Sequence, residues 1–198
     1  MNPADYSQPQ FFRFGWDSLF LMEEVAKRFE GARPARLLEL GAGSGVVSCE
    51  LSRRMPGLRA TLVECQEDWR PHLESNIARF GEFAAAAVVF WGTVGAFHPG
   101  PGDAFDLIVA NPPYFDPGRG RPAPDPRRNT AHRFVLEGWD AWRDCMVRSL
   151  AVGGEAWWLQ KDPGPVGAKW EVPLGYELAH VVRTGPMRLL RLRRLHVE

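Results

Sequence analysis

The chain has 198 residues, the length of one domain at the usual ~100–200 residues per domain. Apolar residues at 45% and charged residues at 24% exclude a disordered, collagen-like or coiled-coil chain. Lys+Arg and Asp+Glu are 24 each, for a formal net charge of zero, so no bulk attraction to nucleic acid or membrane follows and any such contact must come from local patches. Lysine is confined to Lys27, Lys161 and Lys169. The remaining positive charge is arginine, which suits bidentate phosphate recognition and equally suits a GC-rich coding bias. The three cysteines, Cys49, Cys65 and Cys145, are odd in number and widely spaced, which argues against a zinc site or a disulfide framework, and no metal is expected. The longest apolar run, Phe83 to Trp91, is far short of the ~18–20 residues that span a bilayer. The start MNPADYSQPQ lacks a basic-then-apolar leader pattern, so no membrane contact and a cytoplasmic, reduced location are expected.

In chain order, residues 1–10 are polar and read as an irregular arm. Asp17 to Glu30 places apolar residues at helical spacing, with Asp17 or Ser18 as N-cap, so 1–30 is an arm plus a helix. ARLLELGAGSG then VVSCELSRRM reads as strand, glycine turn, helix. RATLVEC is a second buried strand, DWRPHLESNIARFG a helix closed by Gly81, AAAAVVFWGTV a third strand, and FDLIVANPPYF a fourth that stops at a Pro-Pro pair. Residues 116–131, rich in proline and arginine, are expected to form an active-site loop. FVLEGWDAWRDCMVRSLAVGG is read as a helix ending at a double glycine and EAWWLQ as a fifth strand. Residues 162–175 are too broken by proline and glycine for a full helix, and 176–198 reads as a closing antiparallel hairpin. Strands alternating with helices give one α/β domain over 1–198, with a mostly parallel sheet covered on both faces and ligands at the carboxyl ends of the strands. Nothing in the pattern specifies an oligomeric state.

The first chemical constellation is Glu39-Leu40-Gly41-Ala42-Gly43-Ser44-Gly45 at the end of the first strand. Glycines let the backbone turn sharply against a ligand, and the next helix offers free N–H groups there. A dinucleotide site would need glycine where Val46 stands. The spacing resembles E-x-G-x-G-x-G, motif I of class I S-adenosylmethionine-dependent methyltransferases. The alternative is a tight strand-to-helix turn with an incidental acid. The resemblance implies a Rossmann-like, seven-stranded fold, with the glycine turn against the methionine part of the cofactor. It further implies that Glu64, beside Cys65, accepts from the ribose hydroxyls. After the third strand the family usually carries an acid or polar residue that meets the adenine amino group, whereas this chain has Gly92-Thr93, whose hydroxyl is a weaker acceptor.

The second constellation is Asn111-Pro112-Pro113-Tyr114 at the end of the fourth strand. It resembles the (N/D/S)PP(Y/F/W) motif of methyltransferases that act on amino nitrogens conjugated to a ring or carbonyl. Such an amine is a poor nucleophile. The Asn111 side-chain oxygen and the Pro112 carbonyl can accept its two hydrogens and favour charge developing on nitrogen, while the prolines keep that geometry rigid. Tyr114 is expected to stack on the base or amide. The alternative is a strand-terminating turn with an aromatic cover.

The third is Phe12-Arg13-Phe14-Gly15-Trp16-Asp17-Ser18-Leu19. Together with NPPYF and the stretch RNTAHR it resembles the bacterial tRNA(Val) adenine-N6 methyltransferases, over roughly residues 10–160. By position, Phe14 and Asp17 would line the cofactor pocket; an aromatic anchor and a helix cap are the alternative. The implied cofactor set is Phe14, Asp17, Glu39, Gly41, Ala42, Gly43, Gly45, Glu64, Cys65, Gly92, Thr93 and Asn111. Phe115, Arg119, Arg121, Arg127 and Arg128 are the candidates for contact with RNA and a flipped base, with Arg133 beside them. Arg183, Arg188, Arg191, Arg193 and Arg194 form a second basic group in the terminal hairpin. The five histidines show no triad or ligand spacing. The resemblance thus implies methyl transfer from S-adenosyl-L-methionine, leaving S-adenosyl-L-homocysteine, to adenine N6 in structured RNA, tRNA above all. Protein-glutamine, guanine-N2 and DNA-adenine methylation stay open as alternatives, as does a catalytically silent cofactor-binding partner. A glutamine enzyme usually carries an N-terminal recognition domain, and only ~35 residues precede the first strand, too few to fold alone.

Overall fold

The computed structural model describes residues 5–32, 34–115, 121–162 and 171–196. Seven strands form one sheet in the order β3-β2-β1-β4-β5-β7-β6. They are β1 (Arg36–Leu40), β2 (Arg59–Glu64), β3 (Ala87–Trp91), β4 (Phe105–Ala110), β5 (Leu150–Lys161), β6 (Tyr176–Thr184) and β7 (Met187–Arg194). The first five run parallel, and β7 pairs antiparallel with both β5 and β6. The helices are α1 (Trp16–Arg28), α2 (Val46–Arg54), α3 (Arg70–Ala78), α4 (Glu82–Ala86), α5 (Pro126–His132) and α6 (Trp139–Ser149).

Strand alternation divides the apolar residues between two cores, one on each face of the sheet. Leu37, Leu107, Val109, Trp157 and Leu159 join α1, α2 and α3 on one face. Leu38, Leu40, Ile108, Ala156 and Trp158 meet Trp139, Trp142 and Met146 of α6 on the other. From β1 the chain moves outward to β2 and β3, then returns to place β4 on the opposite side of β1. This reversal opens a crevice at the carboxyl ends of β1 and β4, the position where ligands bind in open α/β sheets.

Four details depart from the sequence reading. Residues 126–132, expected in a loop, form α5: Pro126 occupies the first turn and the Asp125 side chain accepts from Arg127 N, the arrangement favoured at helix starts. Residues 116–120 of that loop, and 163–170 of the segment expected to be broken, lie outside the described residues. The helix expected over 134–154 is only Trp139–Ser149, and the double glycine lies inside β5. At Gly154 a Cβ would meet the carbonyl oxygens of Phe105, Ala151 and Asp106 at 2.9–3.0 Å, and the register shifts there, so these glycines mark a strand irregularity rather than a helix end. Residues 82–86, partly assigned to the third strand, form α4. The N-cap of α1 is Gly15, not Asp17 or Ser18.

The N-terminal arm is irregular yet fastened. Tyr6 is buried and its hydroxyl donates to Glu50 of α2. Asn76 of α3, fully buried, accepts from Ser7 N and donates to the carbonyls of Ser7 and Ser44. One amide side chain therefore ties the arm, α3 and the glycine turn together.

Candidate active site

The glycine turn leaves β1 with Gly41, Gly43 and Gly45 all at positive φ, 66°, 53° and 72°. Side chains rarely adopt that conformation. Two of the three glycines are also forced by space: a Cβ at Gly41 would lie 2.7 Å from the Trp142 ring, and one at Gly45 would lie 2.5 Å from Leu73 Cδ1. Ala42 N donates to Val63 O of β2, holding the turn over the sheet edge. The resulting crevice is floored by Gly41, Ala42 and Gly43. Its aromatic lining is Phe12, Phe14, Trp69, Phe134 and Trp142, with Phe12 against Trp69 and Phe134 against Trp142.

Three carboxylates border this crevice, Glu39, Glu64 and Glu137, and the first two face different tasks. Glu39 is buried on the α2 face of β1 and accepts from the backbone N–H and hydroxyl of Ser48. Burial pushes its carboxyl up to about 7, against the lowering effect of those two bonds. Glu64, at the end of β2, accepts from Gly43 N, Cys65 N and Gln66 N at 2.8 Å each. Burial raises its pKa too, opposed by the three backbone donors. A carboxylate offers about four acceptor positions, so Glu64 keeps capacity for a ligand hydroxyl.

At the end of β4, Asn111 donates from Nδ2 to Ser18 Oγ at 3.1 Å, and Tyr114 Oη donates to Asp17 Oδ2 at 2.7 Å and contacts Asn111 Oδ1. Burial, and then the Asp17 charge, raise the Tyr114 pKa, so the phenol keeps its proton. Asp17 Oδ2 and Asn111 Oδ1 share the phenol's one proton and anchor Tyr114; an amide oxygen has two lone pairs, so Asn111 Oδ1 can accept another hydrogen. Tyr114 and Phe115 donate their backbone N–H groups to His132 O, and Phe115 bridges to Arg133, which fastens α5 against the NPPY turn. The His132 ring lies 4.9 Å from that of Phe12. Burial and the nearby Arg128 lower its pKa.

The structure brings Phe14, Glu39, Gly41, Ala42, Gly43, Glu64, Cys65, Asn111 and Pro113 into one crevice. Asp17 reaches the site through Tyr114. Pro112 and Tyr114 line a small neighbouring recess with Pro113 and Lys161. Gly45 packs on Leu73 instead of lining the crevice, and Gly92 and Thr93 do not line it either. Phe115 lies under Lys161, 5.1 Å from Nζ. Arg121 and Arg128 are exposed. Arg127 is bound to Asp125 and Asp68 and covers the Phe11 ring, and Arg119 lies outside the described residues. In the hairpin, Arg183 and Arg188 pair with Asp162, Arg191 approaches Glu155, and Arg194 donates to Leu150 O; these arginines hold the sheet edge together.

Sequence reading missed Trp69, Trp142, Phe134, Thr130 and Glu137, all of which line the crevice. They arrive from helices and loops distant in sequence, and only the proximity of Trp69 to Glu64 along the chain hinted at one of them.

A crevice at the switch point of a parallel sheet, with a glycine cradle, an acid closing β2 and an Asn-Pro-Pro-Tyr turn closing β4, defines a class I methyltransferase domain. Residues 14–137 match the methyltransferase small domain family, and the chain belongs to that family. It is similar to a tRNA1(Val) (adenine(37)-N6)-methyltransferase of Aeromonas hydrophila, 35% identical over 128 residues, covering 61% of this chain and 49% of the relative. It is also similar to a release factor glutamine methyltransferase of Geobacter sulfurreducens, 33% identical over 98 residues, covering 50% of this chain and 32% of the relative. The chain thus spans at most about half the length of these curated relatives. Among solved structures it resembles a putative methyltransferase, yhhF, from Escherichia coli, with a TM-score of 0.67 at 18% identity over 95% of this chain and 91% of that one, a likeness of fold.

S-adenosyl-L-methionine is the cofactor of this domain, and the crevice fits it. Gly41 lines the crevice without a side chain, and a Cβ there would push into Trp142 of the crevice lining. Trp142 Nε1, in the crevice lining, is a buried donor without a hydrogen-bond partner among the described residues, and Glu64 keeps an acceptor position for a ribose hydroxyl. No helix among the described residues is long and apolar enough to cross a membrane.

Proposed function

We propose that this domain transfers a methyl group to an exocyclic amino nitrogen, adenine N6 of a tRNA. The observation that carries this reading is Asn111. It stands where the crevice meets the NPPY turn, its Nδ2 fixed by Ser18 and its Oδ1 left able to accept. The bound cofactor supplies an electrophilic methyl carbon. Asn111 Oδ1 and the Pro112 carbonyl accept the two amino hydrogens, which draws electron density onto the nitrogen and aligns its lone pair for in-line attack. Asn111 Oδ1 and Pro112 O would hold the nitrogen as positive charge develops on it during methylation, and the methylated nitrogen would then lose one proton to solvent. The phenol of Tyr114, held by Asp17, keeps the turn in register.

The tRNA assignment is supported by the relatives named for adenine N6, one of which matches over 61% of this chain against 50% for the glutamine enzyme. Exposed Arg121 and Arg128 beside the turn suit phosphate contact. The release-factor relatives favour a second reading, a glutamine side-chain amide, because the same two acceptors serve an amide nitrogen. The role of Asn111 is tested by Asn111→Ala. Transfer should fall by about a hundredfold or more, as for loss of one transition-state hydrogen bond, while S-adenosyl-L-homocysteine binds within about twofold of wild type. Equal loss of both would overturn the role.

A further inference from the structure

We propose that Glu137 reads the adenine amino group of the cofactor and supplies the acid that the chain lacks after β3. The carboxyl ends of the strands run in the order β4, β1, β2, β3, and the site's groups follow it: Asn111, the glycine turn, Glu64, then the loop Thr93–Phe97. Three inter-strand spacings separate the ends, about 14 Å. A ligand with its reactive methyl at Asn111 and its ribose at Glu64 therefore presents its base toward the loop after β3; this step rests on the cofactor placement given above.

That loop offers no acid of its own, since it begins Gly92-Thr93. The acid comes instead from the segment leading into α6. Glu137 accepts from Val94 N through Oε1 and from Gly95 N through Oε2, both at 2.8 Å, and it lines the crevice. Gly95 makes room for it, because a Cβ there would lie 2.9 Å from Oε2. Arg148 of α6 holds the same loop from its carbonyl side, donating to the oxygens of Val94, Gly95 and Phe97. The loop thus keeps a fixed shape with a carboxylate set in it. Each oxygen uses one acceptor position on the backbone and keeps another for a ligand donor. A 6-amino purine presents such a donor, and a 6-oxo purine presents an acceptor that the carboxylate repels.

The test is binding of S-adenosyl-L-homocysteine and its deaminated analogue S-inosyl-L-homocysteine by calorimetry, which needs no methyl acceptor. Wild type should favour the amino ligand by about tenfold or more, the scale of one hydrogen bond to a charged group. In Glu137→Ala that preference should fall by about tenfold, and Glu137→Gln, which keeps the shape and one acceptor, should fall between. An unchanged preference in Glu137→Ala, or an equal weakening of both ligands, would overturn the proposal and leave Glu137 a structural tie. If Glu137→Ala does not fold, an unchanged preference in Glu137→Gln overturns it as well. Failure of wild type to bind either ligand would overturn the cofactor placement itself, a different result from binding without discrimination.

Discussion

Replacing Gly45 with alanine tests the physical basis of the glycine turn. Gly45 caps α2 at φ 72°, where an alanine costs about 1–2 kcal/mol. The new Cβ would also lie 2.5 Å from Leu73 Cδ1 and 3.5 Å from Leu62 Cδ2. Both leucines are fully buried, so neither can swing into solvent, and overpacking of this kind adds about 1–3 kcal/mol. The sum, about 2–5 kcal/mol, corresponds to a loss of roughly 5–15 °C in Tm for a chain of this size. Gly57→Ala is the control, because Gly57 has φ 87° with nothing within 4 Å of a Cβ and should lose only the backbone part, about 1–2 kcal/mol. Thermal and urea unfolding followed by circular dichroism would compare the two. If Gly45→Ala loses no more than Gly57→Ala, the close packing of the turn on α3 is refuted.

The remaining predictions concern charge and ligand. Glu39→Gln should stabilise the free protein more at pH 8 than at pH 5. The folded carboxyl titrates at about 7 against 4.5 unperturbed, so wild type loses stability as pH rises through that window, by up to about 3 kcal/mol. A pH-independent difference between the two proteins in urea titrations would contradict this. Glu64→Ala should weaken S-adenosyl-L-homocysteine by about tenfold or more, the opposite pattern to Asn111→Ala, and unaltered affinity by calorimetry would remove Glu64 from the cofactor site. Arg128→Ala should weaken tRNA binding uniformly across sequences and lower the salt slope by about 1, which filter binding at several ionic strengths would measure.

What could be read from the residues was whatever is encoded locally. The β1–glycine–α2 unit and the NPPY turn are contiguous stretches in which residues that shape the backbone also line the crevice, so Glu39, Gly41, Glu64 and Asn111 come to it with their elements. Crevice walls contributed by Trp69, Trp142 and Glu137 depend on which helix packs over which strand, and no spacing rule encodes that. Two misreadings had local signals that were outweighed. Asp125-Pro126 is a helix start, hidden by the proline and arginine around it, and Gly153-Gly154 looked like a helix terminus because strand irregularities use the same residue. The acid expected after β3 was sought on the strand that usually carries it; the structure places a carboxylate in that loop from elsewhere in the chain.

The most direct test of the account is methyl transfer from labelled S-adenosyl-L-methionine into total RNA, DNA and protein from a strain lacking this gene, followed by nucleoside mass spectrometry. The account predicts label in the tRNA fraction, recovered as N6-methyladenosine and abolished by Asn111→Ala; label confined to protein, recovered as methylglutamine, would contradict it.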